Sequence, residues 1–181
     1  MKVLGLVALE QRLQHDLNII GYPLNEWVPE KFTKEGERVL DVLIVGAGQG
    51  GLAIAFQLMR ERVNNVLVID KAEPGTEGPW INYARMPILR SPKEVNGPDL
   101  NIPSLSFQAW YEAQFGLPSW EAMGKIPTKM WMDYLVWYRR ILQLPVENGV
   151  RLDTFEPYED IQKVTLCCLR TNTNKTVFTR K

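Results

Sequence analysis

The sequence holds one histidine, two cysteines and no excess charge of either sign, and each shortage closes off a class of function. With His15 alone, a Ser-His-Asp type triad or a multi-histidine metal site has almost nothing to be built from. His15 is expected to be a polar position on an amphipathic helix, and no metal site is expected. Cys167 and Cys168 are neighbours on an expected strand, where successive side chains face opposite ways and a vicinal disulfide is strained, so both are read as ordinary thiols. Lys and Arg number 21 against 21 Asp and Glu, which leaves no net field to hold a nucleic acid or an anionic membrane. The apolar opening, Lys2 to Leu9, ends at Glu10 and Arg12; it is short for a signal peptide and far too short to span a bilayer. A cytoplasmic protein with no membrane or nucleic-acid partner is the expectation.

What is present is a globular composition, 45% hydrophobic and 23% charged over 181 residues, enough for one ordinary core. No internal repeat is visible. Its most informative run is Asp41-Val42-Leu43-Ile44-Val45-Gly46-Ala47-Gly48-Gln49-Gly50-Gly51, followed by an apolar helix and then Val66-Leu67-Val68-Ile69-Asp70. Gly46, Gly48 and Gly51 have G-x-G-x-x-G spacing. Each answers a separate demand: a tight turn out of the strand, room for a pyrophosphate against bare backbone, and close helix-to-strand packing. The helix that starts there aims unsatisfied N–H groups, and about half an elementary charge of macrodipole, at whatever sits over the turn. Asp70 follows Gly51 by 19 positions, near the roughly 20 expected of a carboxylate that accepts from ribose hydroxyls. Val42 to Val45 reads as a strand covered on both faces, and Leu52 to Arg62 as a helix closed by Arg60, Glu61 and Arg62. A dinucleotide site is the expectation, and the motif leaves FAD and NAD open.

Around this unit the pattern is coarser. Residues 3 to 20 set Leu6, Leu9, Leu13, Leu17 and Ile20 near one face of an amphipathic helix, and an extended arm from Gly21 leads to the first strand. After Asp70, Pro74, Pro79, Pro87, Pro92, Pro98 and Pro103 punctuate a loop too apolar for simple disorder, which is expected to pack over the cofactor. Arg85, Arg90 and Lys93 within it are candidates to face phosphates or a flavin ring, against the plainer reading of solvated charges. Ser106 and Gly116 bracket an expected helix over Phe107 to Phe115, and Thr128 opens another to Gln143 whose aromatic stripe (Trp131, Tyr134, Tyr138) reads as core. Asn148-Gly149 is read as a turn, Val150 to Phe155 as a strand, and Val164 to Leu169 with Lys175 to Thr179 as a hairpin.

At Gly46 to Gly51, Asp70 and Glu77-Gly78-Pro79-Trp80 the chain resembles flavin-dependent monooxygenases of the two-dinucleotide-domain type, which include lysine and ornithine N-hydroxylases and Baeyer-Villiger enzymes. Tyr83 to Met86, Leu89 to Lys93 and Trp131 to Arg140 are similar to a bacterial subgroup of FAD/NAD(P)-binding oxidoreductases. The resemblance implies an α/β fold: the Rossmann-like parallel sheet of an FAD-binding domain with a small antiparallel β-meander, incomplete at the C-terminus. It implies FAD on Gly46, Gly48, Gln49, Gly50 and Gly51, with Asp70 on the adenosine ribose. Lys71, Trp80 and Arg90 lie nearby in that picture, and backbone near Leu152 meets the adenine. NAD(P)H is the implied reductant, with its own site outside this sequence. No catalytic residue is named. The expected division is residues 1–37, a helix and arm, and residues 38–181, a partial FAD-binding domain with loop 71–104, helices 107–115 and 129–143 and hairpin 163–180. Three readings stay open here: the FAD-holding portion of a monooxygenase completed by missing sequence or a second polypeptide, a non-catalytic FAD- or NAD-binding module, and a truncated remnant.

Overall fold

The computed structural model describes residues 5–181. In chain order the elements are α1 (Gly5–Ile19), β1 (Val39–Leu40), β2 (Val42–Val45), α2 (Gln49–Arg60), β3 (Val66–Asp70), a 3-10 turn (Pro103–Leu105), α3 (Phe107–Phe115), α4 (Leu117–Ala122), α5 (Thr128–Ile141), β4 (Val146–Asn148), β5 (Val150–Tyr158), β6 (Ile161–Cys168) and β7 (Thr173–Arg180). They fall into two compact units, each discontinuous in sequence. One is the chain up to Gly21 with Pro79–Gln143, and the other is Tyr22–Gly78 with Leu144–Lys181. The sequence reading draws its boundary near residue 37 instead. Positions 3 and 4 of the expected first helix lie outside the described residues. No helix among the described residues is long and apolar enough to cross a membrane.

The sheet unit carries two sheets. In the first, β2, β3 and β4 are parallel in the order β2-β3-β4, with Val42 opposite Val66 and Asp70 opposite Asn148. In the second, β5, β6 and β7 form an antiparallel meander, and β1 joins β7 in parallel to give the order β1-β7-β6-β5. This is the expected Rossmann-like parallel sheet with a small meander. Ile69, Val150, Val164 and Leu166 form one apolar core, with Leu43, Leu67, Leu152 and Cys168 packed against it. Cys167 is buried, Cys168 is half-buried, and both are free thiols.

Two local expectations are corrected. The strand covered on both faces is β3, whose Val68 and Ile69 are fully buried, and not Val42–Val45: β2 lies at the sheet's edge and its Val45 is 58% exposed. Asn148 ends β4, so the turn begins only at Gly149, whose φ of 67° suits glycine. Strand β1 and helix α4 were not foreseen. Two residues carry no readable period, whereas α4 has a proline in its first turn, a signal of helix entry.

The helical unit is an aromatic core. Phe107 lies with its ring centroid 5.5 Å from Trp110 and Trp131, 5.4 Å from Tyr134 and 6.2 Å from Trp120. The buried hydroxyls of Tyr134 and Tyr138 donate to Leu105 O (2.8 Å) and Pro98 O (2.7 Å), so the stripe on α5 is core, as expected, with its two phenol tips satisfied and Trp131 Nε1 buried without a partner. Helix α1 packs on α3 and the 3-10 turn with Leu13 buried, while His15 is exposed. Glu10 accepts from Trp137 Nε1 (2.9 Å), and Asp16 accepts from the Ser104 hydroxyl (2.6 Å), which holds the Asp16 carboxyl below its usual range. Helix α3 has the expected caps: Ser106 Oγ accepts from Ala109 N (3.1 Å), and Gly116 follows at φ 80°.

Candidate functional site

The turn between β2 and α2 is built by three glycines with distinct geometry. Gly46 leaves the strand at φ 105°, in a region open to glycine, and its N–H donates to Ile69 O (2.7 Å), which ties the turn to β3. A Cβ on Gly51 would lie 1.9 Å from Gly46 O and 3.4 Å from Ile44 Cγ2, so the helix approaches the strand exit at a distance only glycine permits. A Cβ on Gly48 would stand 3.7 Å from Gly78 Cα, so backbone faces backbone across the turn. Helix α2 closes its first i to i−4 bond with Leu52 N to Gly48 O (3.0 Å), leaving the amides of Gln49, Gly50 and Gly51 without an intrahelical acceptor. No acidic side chain stands in that first turn to cancel the positive end of the dipole.

Asp70 closes the site from the strand side. Its Oδ2 accepts from Ala47 N (2.7 Å) inside the glycine turn, and its Oδ1 accepts from Ala72 N (2.8 Å). The carboxylate therefore faces the turn. A carboxylate can accept about four hydrogen bonds, so two remain for hydroxyls. The arrangement is a bare-backbone anion seat beside a hydroxyl acceptor, which fits a dinucleotide: one end supplies phosphates, the other a ribose.

Of the residues singled out in sequence, Gly46, Gly48, Gln49, Gly50, Gly51 and Asp70 come together in this cradle. Lys71 is the next residue along and is exposed. Leu152, on β5, packs its side chain against the Ile69 core, and its strand has a register shift between Leu152 and Thr154. Trp80 and Arg90 belong to the helical unit. Trp80 stands edge-on to Trp131 at 6.3 Å with its Nε1 buried and unbonded, and the Arg90 side chain is exposed. Arg85 is exposed as well. Lys93, a candidate to face phosphates or a flavin ring, is engaged within the helical unit. Its ammonium donates to Trp120 O (2.6 Å) and Met123 O (2.7 Å) and sits 4.6 Å over the Trp120 ring, so its charge caps the end of α4.

Two residues named in the sequence without a site role hold the wall opposite Gly48. Glu77 is 3% exposed; it accepts from Gly75 N (2.8 Å) and from Asn148 Nδ2 (2.7 Å). Asn148 Nδ2 also donates to Ala72 O (3.0 Å). An acid inside a turn rich in glycine and proline was the available signal, and Asn148 gave none.

A family profile described as FAD-NAD(P)-binding matches residues 43–173, from the start of β2 into β7. The chain is 53% identical over 154 residues to an FAD-dependent urate hydroxylase of Xanthomonas campestris pv. campestris; the match covers 85% of this chain and 32% of that protein. It thus spans about a third of the length of that curated relative. Among solved structures it resembles the cadaverine monooxygenase DfoA of Erwinia amylovora bound to FAD (TM-score 0.61, 14% identity, 79% of this chain and 34% of that one). It also resembles the bacillithiol disulfide reductase Bdr of Bacillus cereus (TM-score 0.60, 19% identity, 77% and 37%). A flavin monooxygenase of Stenotrophomonas maltophilia is similar to the same degree (TM-score 0.58, 21% identity, 78% and 36%). At these identities the structures speak for the fold, and the profile, laid over the cradle itself, for the family: the chain belongs to the FAD-NAD(P)-binding family.

Proposed function

We propose that the chain is the FAD-holding portion of an NAD(P)H-dependent flavin monooxygenase, completed for turnover by further sequence or by a second polypeptide. The observation that carries this is the cradle, with three glycines that bare the backbone, free amides at the head of α2 and Asp70 turned onto Ala47 N. The 53% identity to an FAD-dependent hydroxylase supports FAD over NAD as the first dinucleotide. The backbone of Gly46, Gly48, Gln49, Gly50 and Gly51 receives the pyrophosphate, and the two remaining acceptor positions of Asp70 take the adenosine ribose. Lys71 flanks that end, and backbone at Leu152 borders the adenine. Bound FAD supplies the chemistry of hydride acceptance from NAD(P)H and of oxygenation. This chain's residues bind and orient it; none is assigned as acid, base or nucleophile.

The need for completion is supported by β2. It is an edge of a parallel sheet, an arrangement that is ordinarily covered, and exposes Val45 (58%); Ile54 of α2 is exposed as well (53%). The substrate of the relative, urate, is the first compound to assay with the completed protein.

Titration of the purified chain with FAD, followed by visible absorbance and quenching of flavin fluorescence, tests the proposal. Stoichiometric uptake that excess NAD does not displace is expected. A valine at Gly48 would drive its γ-carbons toward Gly78, so Gly48→Val is expected to lose uptake with an unchanged far-ultraviolet circular dichroism spectrum. A wild-type chain that stays colourless after added FAD refutes the reading.

A further inference from the structure

We infer that Glu77 is a positioning residue of the cofactor cradle, acting through Asn148 and the Gly75–Gly78 turn; this rests on the cofactor reading above. The wall facing Gly48 is the backbone of Gly78, a residue at φ 70° in a turn that belongs to no helix or strand. Its backbone supplies one bond, Thr76 N to Glu73 O (3.0 Å), and side chains do the rest of the holding. Glu77, the residue before Gly78, does this with a carboxylate that is 3% exposed. One oxygen accepts from Gly75 N (2.8 Å), which closes the turn on itself. The other accepts from Asn148 Nδ2 (2.7 Å), which anchors it to the end of β4.

Asn148 is the second half of the device. Its Nδ2 meets two acceptors, Glu77 Oε1 and Ala72 O (3.0 Å), so both its protons are spent and its orientation is set. It also pairs in register with Asp70, whose Oδ1 accepts from Ala72 N. One short chain of bonds therefore links the ribose acceptor Asp70, the residue Ala72, the tip of β4 and the wall at Gly78. The two sides of the cradle are set against each other by Glu77 and Asn148, neither of which is proposed to touch the cofactor.

A glutamine cannot do the same work. Its amide offers one acceptor oxygen where two donors, Gly75 N–H and Asn148 Nδ2–H, must be met, and turning Asn148 over to suit it would orphan Ala72 O. The test compares FAD dissociation constants and FAD-free melting temperatures for the wild type, Glu77→Gln, Asn148→Ala, the exchange Glu77→Gln with Asn148→Asp, and Val164→Ala as a core control. Loss of one well-placed bond at the wall is expected to weaken FAD binding about tenfold in Glu77→Gln and in Asn148→Ala. The exchange restores a donor-acceptor pair across the turn and is expected to recover part of that loss. Val164→Ala removes methyl groups from the Ile69 core and is expected to lower the melting temperature with FAD affinity unchanged. FAD affinity in both single variants equal to that of the wild type overturns the inference alone, as does affinity that merely tracks melting temperature across all five proteins. Failure of the wild type to bind FAD overturns the cofactor reading and this inference with it.

Discussion

Adding one methyl group to neighbouring glycines of α2 should move stability in opposite directions. At Gly51 the new Cβ would fall 1.9 Å from Gly46 O and 3.0 Å from Gly46 C, far inside the roughly 3.5 Å of an ordinary contact. The atom in the way is backbone, so no side-chain rotation relieves it. The turn must retreat, and it is held by Gly46 N to Ile69 O and Ala47 N to Asp70 Oδ2, both 2.7 Å. Overpacking costs about 1–3 kcal/mol and each weakened bond about 1 kcal/mol, against at most about 1 kcal/mol gained from the helix preference of alanine over glycine. The net for Gly51→Ala is a loss of about 2–4 kcal/mol. For a chain of this size that lowers the melting temperature by roughly 4–16 °C. At Gly50 nothing lies within 4 Å of the added carbon, so Gly50→Ala keeps only the helix preference and should gain up to about 1 kcal/mol. Urea unfolding of the two FAD-free variants decides the matter. Equal stabilities, or a Gly51→Ala variant as stable as wild type, would refute the geometry of the turn.

Asp70→Asn puts amide protons against Ala47 N–H or Ala72 N–H, and should destabilise the FAD-free chain by about 1–3 kcal/mol while weakening FAD binding; a variant unchanged in both denies Asp70 its place at the turn. Burial, with Asp99 nearby, pushes the phenols of Tyr134 and Tyr138 well above the ordinary range. A raised folded-state value means that the stability they hold is complete below the unfolded-state value near pH 10 and is lost as pH climbs beyond it. Absorbance at 295 nm should therefore show these two phenols ionising only together with loss of the near-ultraviolet circular dichroism; phenylalanine variants at both positions should remove that coupled step. Lys93→Ala uncaps α4 and should lower stability by about 1–2 kcal/mol without altering FAD affinity, whereas a change in affinity would return Lys93 to the cofactor site.

The cradle was legible from the chain alone because its requirements are local. A positive φ at Gly46, a contact that forbids a Cβ at Gly51 and free amides at the head of α2 all arise within a few residues of one turn, and glycine spacing records them directly. The same holds for α3, where Ser106 and Gly116 mark the two ends, and for the α5 stripe, whose period is an intrinsic property of a helix. Other features depend on what the fold carries in from far along the chain. An apolar run of four residues looks the same at the centre of a sheet or at its edge, and only the strand order put β2 at the edge and β3 under cover. Lys93 reads as a solvated or phosphate-facing cation until α4 brings carbonyls to it, and Glu77 has no assigned role until Asn148, 71 residues later, meets it in the interior. Backbone geometry is dictated by sequence neighbours, and therefore can be read from them; burial and the partner of a polar group are dictated by spatial neighbours, which exist only after the chain has folded back on itself.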